Sequence, residues 1–178
     1  MGLFEKLGIS VTARSGKTPE PVPAPEDPQA ILAPVSGHVI ELERVSDPAF
    51  SQGMLGRGLG IKAEEDVAYA PVTGTVVADV KTKHALLIKS QSGAEVLLHV
   101  GLDSVTLRGA GFQPFVRKGD EVVAGTPVMR FDRSLMAEHG LDDTVVVTVT
   151  NPEAFSSVES VCSEGEVSAG SVVLRCER

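Results

Sequence analysis

Residues 83–100 read Lys83-His84-Ala85-Leu86-Leu87-Ile88-Lys89, then Ser90-Gln91-Ser92-Gly93, then Ala94-Glu95-Val96-Leu97-Leu98-His99-Val100. Two apolar runs flank a short polar break. Ser at the first turn position and Gly at the fourth suit a type I turn, so the runs are expected to pair as an antiparallel hairpin. If Ser90 faces Gly93, His84 faces His99, with Cβ atoms about 4.5–5.5 Å apart. Alternation then puts Ala85, Leu87, Val96 and Leu98 on the core face and His84, Leu86, Leu97 and His99 on the other. A G1 bulge at Gly93 would slip the pairing by one residue and spoil this match of faces, so the unslipped register is the expectation.

Two facing imidazoles have few uses. They can bind metal, but a catalytic zinc site needs a third protein ligand, so no intrinsic metal is assigned to His84 and His99. They can also act as nucleophile and helper, one ring attacking phosphorus while the other donates to phosphate oxygens. Imidazole suits this because much of it is neutral near pH 7, and apolar surroundings favour that form. The plain alternative is two histidines sharing a sheet face by chance. The other two are read as structural: His38 follows a glycine turn, and His139 precedes Gly140 at a helix end, where a cation favours the dipole.

Outward from the hairpin the texture is β. Short Val-rich runs are broken by Gly about every ten residues, and the chain has 18 Gly and 11 Pro. Two internal echoes stand out. Ala33-Pro34-Val35-Ser36-Gly37-His38-Val39 resembles Ala70-Pro71-Val72-Thr73-Gly74-Thr75-Val76, and Gly119–Gly125 is loosely repeated at Gly165–Gly170. Doubled units of this kind predict an all-β fold with little helix, a doubled β-sandwich or flattened barrel of barrel-sandwich hybrid type. One short helical turn is expected over Ser134–His139.

Upstream, residues 1–28 read as a separate zone and residues 29–178 as one domain. Leu3, Phe4, Leu7 and Val11 share one helical face. Residues 12–28 hold Pro19, Pro21, Pro23, Pro25 and Pro28, which predicts a semi-extended linker. The net charge of −8 argues against nucleic acid as a partner, while an acidic domain can dock a basic protein. Cys162 and Cys176 make no disulfide framework. No apolar run approaches the ~20 residues of a membrane span, and no secretory h-region follows Met1, so a cytoplasmic location is expected.

The ordered motifs resemble the glucose-family IIA proteins of the bacterial phosphoenolpyruvate-dependent sugar phosphotransferase system. Thr82-Lys83-His84-Ala85, followed by Leu98-His99-Val100-Gly101-Leu102-Asp103-Ser104-Val105, looks like their active-site pair. Ala33–Gly37, Asp47 with Phe50, Ala70–Gly74, Gly109–Phe112 and Gly119-Asp120 also fit. The resemblance implies a phosphotransferase component working through a phosphohistidine, without a cofactor. The carrier HPr would phosphorylate His99 at Nε2, and a cysteine of a sugar-specific IIB domain would then take the group. His84 would steady the phosphate and Thr82 would orient His84. Asp47, Phe50, Asp103 and Val105 match the docking rim, and Val80, Leu86 and Leu97 stand where members often carry phenylalanine. Two rivals are weaker. A biotinyl or lipoyl carrier needs a modified lysine, but Lys81 and Lys83 lack its flanking residues. A zinc peptidase shares His99-x-x-x-Asp103 but needs a His-x-His that the chain lacks.

The apolar stripe of residues 1–11 predicts weak, reversible contact with a membrane surface, since an interface can order a segment too short to be a stable helix in water. Co-sedimentation with anionic vesicles is expected for the full chain and not for one starting at Gln29; equal, negligible binding by both would rule this out.

Overall fold

A computed structural model describes residues 17–178. The strands are β1 (Ala30–Leu32), β2 (Gly37–Glu41), β3 (Arg57–Ala63), β4 (Val67–Tyr69), β5 (Gly74–Asp79), β6 (Ala85–Ser90) and β7 (Glu95–Val100). They continue with β8 (Phe112–Pro114), β9 (Glu121–Val122), β10 (Pro127–Phe131), β11 (Thr144–Val149), β12 (Ser157–Ser160), β13 (Gly165–Val167) and β14 (Val172–Glu177). Two short helices, α1 (Pro48–Ser51) and α2 (Arg133–Glu138), interrupt them. The large sheet runs β13-β2-β3-β11-β7-β6-β5-β9, and the two small sheets run β1-β14-β12 and β4-β10-β8. The fold is an antiparallel all-β sandwich, as the Val runs and Gly punctuation imply.

The doubling is visible in the hydrogen bonds. Tyr69 N donates to Pro34 O at 2.8 Å, and Leu32 N donates to Pro71 O at 2.9 Å, so the two echoed Ala-Pro turns hold one another. The second echo repeats the pattern: Gly125 N reaches Ala70 O and Gly170 N reaches Ala33 O, both at 2.9 Å. The main core fills the space between the sheets with Ile31, Leu59, Ile61, Ile88, Leu98, Met129, Phe131 and their neighbours. Helix α2 lies within one residue of its expected place. Asp132 caps it by accepting from Leu135 N at 2.9 Å, and Gly140 at φ +66° ends it.

The central hairpin corrects the expected register. Ala85, not His84, pairs with His99, and Leu86 pairs with Leu98, Leu87 with Leu97, and Ile88 with Val96. The slip arises at the turn. Gly93 takes φ +91° and donates to Ser90 O at 3.0 Å, and Ser90 N then reaches past it to Ala94 O at 2.8 Å. This is the G1-type bulge that the match of faces in the sequence disfavours. Ser90 Oγ also accepts from Ala94 N at 3.0 Å, and the Asn151 side chain bonds both Gly93 O and Glu95 N. The face assignment changes on β6: Leu86 and Ile88 join Val96 and Leu98 in the core, and Ala85 and Leu87 share the other face with Leu97 and His99.

The Pro-rich stretch also departs from a free linker. Its described part, residues 17–28, has no regular secondary structure, as expected, but is fastened to the body. Val22 N donates to Gly125 O at 2.9 Å, and Asp27 pairs with Arg175 at 2.7 Å. A Cβ on Gly125 would stand 2.6 Å from Val22 O, and one on Gly170 would collide with Pro23 O. The two echoed Ala-Gly turns therefore form a seat that only glycine leaves open. The proposed membrane contact of residues 1–11 lies outside the described residues. Among the described residues no helix is long and apolar enough to cross a membrane.

Gly93→Ala is expected to lower unfolding stability by about 1–2 kcal/mol, the cost of a Cβ in the left-handed region, with Gly93→Asn costing less. Urea unfolding midpoints measure this. An unslipped type I turn would tolerate alanine without loss.

Candidate functional site

His99 belongs to the face of β7 turned away from the main core. A second, smaller core lies there: Leu42, Val45, Phe50, Leu102 and Val146, with half-buried Leu97 against it. Helix α1 supplies Phe50. Asp47 starts it by accepting from Ala49 N at 2.9 Å, and Pro48 sits at the first helical position. The Asp47-Pro48 pair is a helix-start signal in the sequence itself. Gly60 on β3 keeps the floor flat, since a Cβ there would lie 3.0 Å from Val45 Cγ2 and from Thr144 Cγ2. The Phe50 ring meets His99 edge to face, with centroids 5.1 Å apart.

His84 flanks His99 on another side. The imidazole centroids are 4.8 Å apart with planes at 78°. So the two rings do meet, although the residues are not direct cross-strand partners. His84 is 8% exposed, and the Phe112 ring lies 6.4 Å away. It sits one residue before β6, where its carbonyl accepts from Val100 N at 2.8 Å. Thr82 Oγ1 lies 2.8 Å from His84 Nδ1. With the hydroxyl donating, the ring proton is assigned to Nε2.

Burial sets the electrostatics. It drives the pKa of His99 down to about 4, with help from like-charge repulsion by His84; the Gly101 backbone and the Asp47 carboxylate oppose this without cancelling it. Burial also lowers His84, opposed by a hydrogen bond to the Thr82 backbone. Both rings are therefore neutral at pH 7. His99 Nδ1 is enclosed with no partner in hydrogen-bonding geometry, which leaves Nε2 as the nitrogen able to meet an incoming group. The loop after His99 turns sharply: Gly101 takes φ +77°, and a Cβ there would sit 3.2 Å from Met136 Sδ. Ser104 Oγ holds that turn by donating to Val100 O at 2.6 Å.

The expected rim residues divide in two. Val80 is 40% exposed and Val105 50%, Asp103 is exposed, and Asp47 is half-buried. Phe50 and Leu86 are buried at 1% and 2%. The register slip turns Leu86 into the main core, and Phe50 serves as the floor beneath His99, so neither offers a surface in this conformation. His38 and His139 lie apart from the pair. His38 Nδ1 is 2.9 Å from Glu166, and His139 Nδ1 donates to Leu135 O at 2.9 Å. Among the described residues no three His, Cys, Asp or Glu side chains gather to hold a metal. Burial raises both thiols, Cys176 to about 11, so both are protonated at neutral pH. Sequence reasoning also missed three non-glycine residues in the left-handed region around the pair: Lys83, Asp103 and Arg108.

Residues 29–155 match the family model described as phosphoenolpyruvate-dependent sugar phosphotransferase system, EIIA 1. The chain is 36% identical over 140 residues to a glucose-specific EIIA component of Oceanobacillus iheyensis, covering 79% of this chain and 84% of that protein. It is 42% identical over 141 residues to a β-glucoside-specific EIIBCA component of Dickeya chrysanthemi, where the match spans 79% of this chain but only 22% of the longer protein. Among solved structures, the glucose permease IIA from Mycoplasma capricolum superposes with a TM-score of 0.70 at 37% identity, covering 82% of this chain and 93% of that one. With a matching family model, close relatives and the same fold, the chain belongs to the EIIA 1 family of the sugar phosphotransferase system.

Proposed function

We propose that His99 carries the phosphoryl group of this phosphotransferase component. The observation that supports this best is a neutral, half-buried imidazole with Nδ1 enclosed and Nε2 left to react, beside a second imidazole tied by a hydroxyl. In the proposed cycle His99 Nε2 attacks phosphorus on phospho-HPr. The N–P bond to HPr breaks as the new one forms, and the electron pair returns to HPr. A cysteine thiolate of a IIB domain then attacks the same phosphorus, and the pair returns to Nε2. His84, protonated at Nε2 and held by Thr82, donates to a phosphoryl oxygen as charge shifts during transfer. The apolar rim of Val80, Leu97 and Val105, edged by Asp47 and Asp103, is the proposed docking surface. The fusion of EIIA to EIIB and EIIC in the Dickeya relative supports a IIB partner, and the cytoplasmic face of a membrane permease is the proposed place of work.

His99→Ala is expected to take no label from phosphoenolpyruvate, the kinase of HPr, and HPr, as read by intact mass; wild-type labelling of that variant would refute the assignment. His84→Gln should still accept the group but pass it on to IIB far more slowly. Complete failure to accept would mean that the two rings share or exchange roles.

The depressed pKa of His99 has a definite sign. Between its folded value of about 4 and its ordinary 6.5 the unfolded chain binds more protons, so stability rises with pH across that window and is lost as pH falls. NMR titration should find a His99 midpoint near 4. A midpoint at or above 6 would mean the ring is far wetter than its packing implies.

A further inference from the structure

Lys83 adopts φ +63°, a region unusual for a long, unbranched side chain. Its N–H donates to Val80 O at 2.9 Å, closing a tight turn over Val80–Lys83 between β5 and β6. The residue after it is His84, and the residue before it is Thr82. In an extended strand, side chains at i and i+2 stand side by side about 6–7 Å apart on one face. Here the Thr82 hydroxyl is instead 2.8 Å from His84 Nδ1. The left-handed residue between them folds the chain back and closes that gap. The other side of the kink is braced by the end of the 104–107 turn. Arg108 and Gly109 are themselves left-handed, and a Cβ on Gly109 would lie 3.6 Å from Lys83 Cδ and 3.8 Å from Thr82 O. The Lys83 stem lies along this bare glycine while the residue remains exposed.

We infer that Lys83 is a positioning residue: its left-handed backbone, and not its ammonium charge, sets Thr82 against His84 and so holds the second imidazole for phosphoryl transfer. The inference rests on the phosphotransfer reading for its consequence in activity. It rests on geometry alone for the placement of the ring. Because conformation carries the role, a residue that accepts the left-handed region can replace lysine, whereas a β-branched residue resists it.

The test compares Lys83→Asn, Lys83→Gly and Lys83→Val in the full chain, with matched thermal unfolding midpoints. Two quantities are read: the His84 tautomer from its ring nitrogen NMR shifts, and transfer from the phosphorylated chain to the IIB domain of the Dickeya β-glucoside component. Asn and Gly should keep the Nε2–H tautomer and transfer within about twofold of wild type. Val should lose the fixed tautomer and transfer about tenfold more slowly, the factor one lost hydrogen bond carries, while acceptance from phospho-HPr is preserved. Thr82→Val should match it, and the Thr82→Val/Lys83→Val double variant should be no worse than either single one. A Lys83→Asn variant as impaired as Lys83→Val would assign the role to the charge and overturn the inference. So would a Lys83→Val variant with the wild-type tautomer and rate. The tautomer reports Lys83 directly, so a failure of the phosphotransfer reading would show separately, as normal onward transfer by His84→Gln.

Discussion

Gly93 in the left-handed conformation sets the pairing of the central hairpin, and that pairing decides which side chains share a face. With the bulge, Leu86 and Ile88 lie opposite Leu98 and Val96, so four large aliphatic groups enter one core together. Without it, each β6 residue would move to the opposite face, and Ala85 and Leu87 would have to fill the space of Leu86 and Ile88. Each buried Leu or Ile contributes about 1.5–3 kcal/mol, so the core selects the slipped register and the turn supplies a residue able to adopt it. His99 is carried along by this choice, since Leu98 and Val100 on its own strand must face inward.

The outward face of β7 would ordinarily be wet. Here it is roofed by a second small core, to which a four-residue helix contributes Phe50. That roof removes water from His99, and the loss of water is what keeps the imidazole neutral well below its ordinary titration range. The same packing encloses Nδ1 and leaves Nε2 as the nitrogen able to meet an incoming group. A fully exposed histidine would spend much of its time protonated or rotated. Stability and the charge state of His99 thus draw on the same contacts, with Phe50 serving both.

Symmetry organises the rest. The two Ala-Pro turns bond each other, the two Ala-Gly turns bond back to them, and the Pro-rich segment crosses both Ala-Gly turns where glycine leaves room. The prolines deprive that segment of donors, and residues 17–28 form no strand. Val22 still finds a carbonyl and Asp27 an arginine. Composition argued against helix in the segment, whose described part, residues 17–28, has no regular secondary structure. It could not reveal the docking, because the seat is made of turns about a hundred residues or more away in the chain.

Much was legible in the residues themselves. Val-rich runs with regular glycines specify strands and turns by local sterics, the echoes specify two similar halves, and the spacing of His84 and His99 across a short turn brings the rings near one another under either register. Asp47-Pro48 also marked a helix start, and Asp132 with Gly140 bounded another. The tertiary structure alone decided the register, because a one-residue slip costs little in the turn and is settled by the volume of partners in the core. It alone decided that Phe50 and Leu86 are buried, since burial depends on what packs from β11, β7 and α1. It alone set the depressed pKa of His99, because desolvation is a property of the whole surround. The chain's residues determined that two imidazoles would meet; the packing of distant segments decided which faces they share, which nitrogen is enclosed and which charge state they hold.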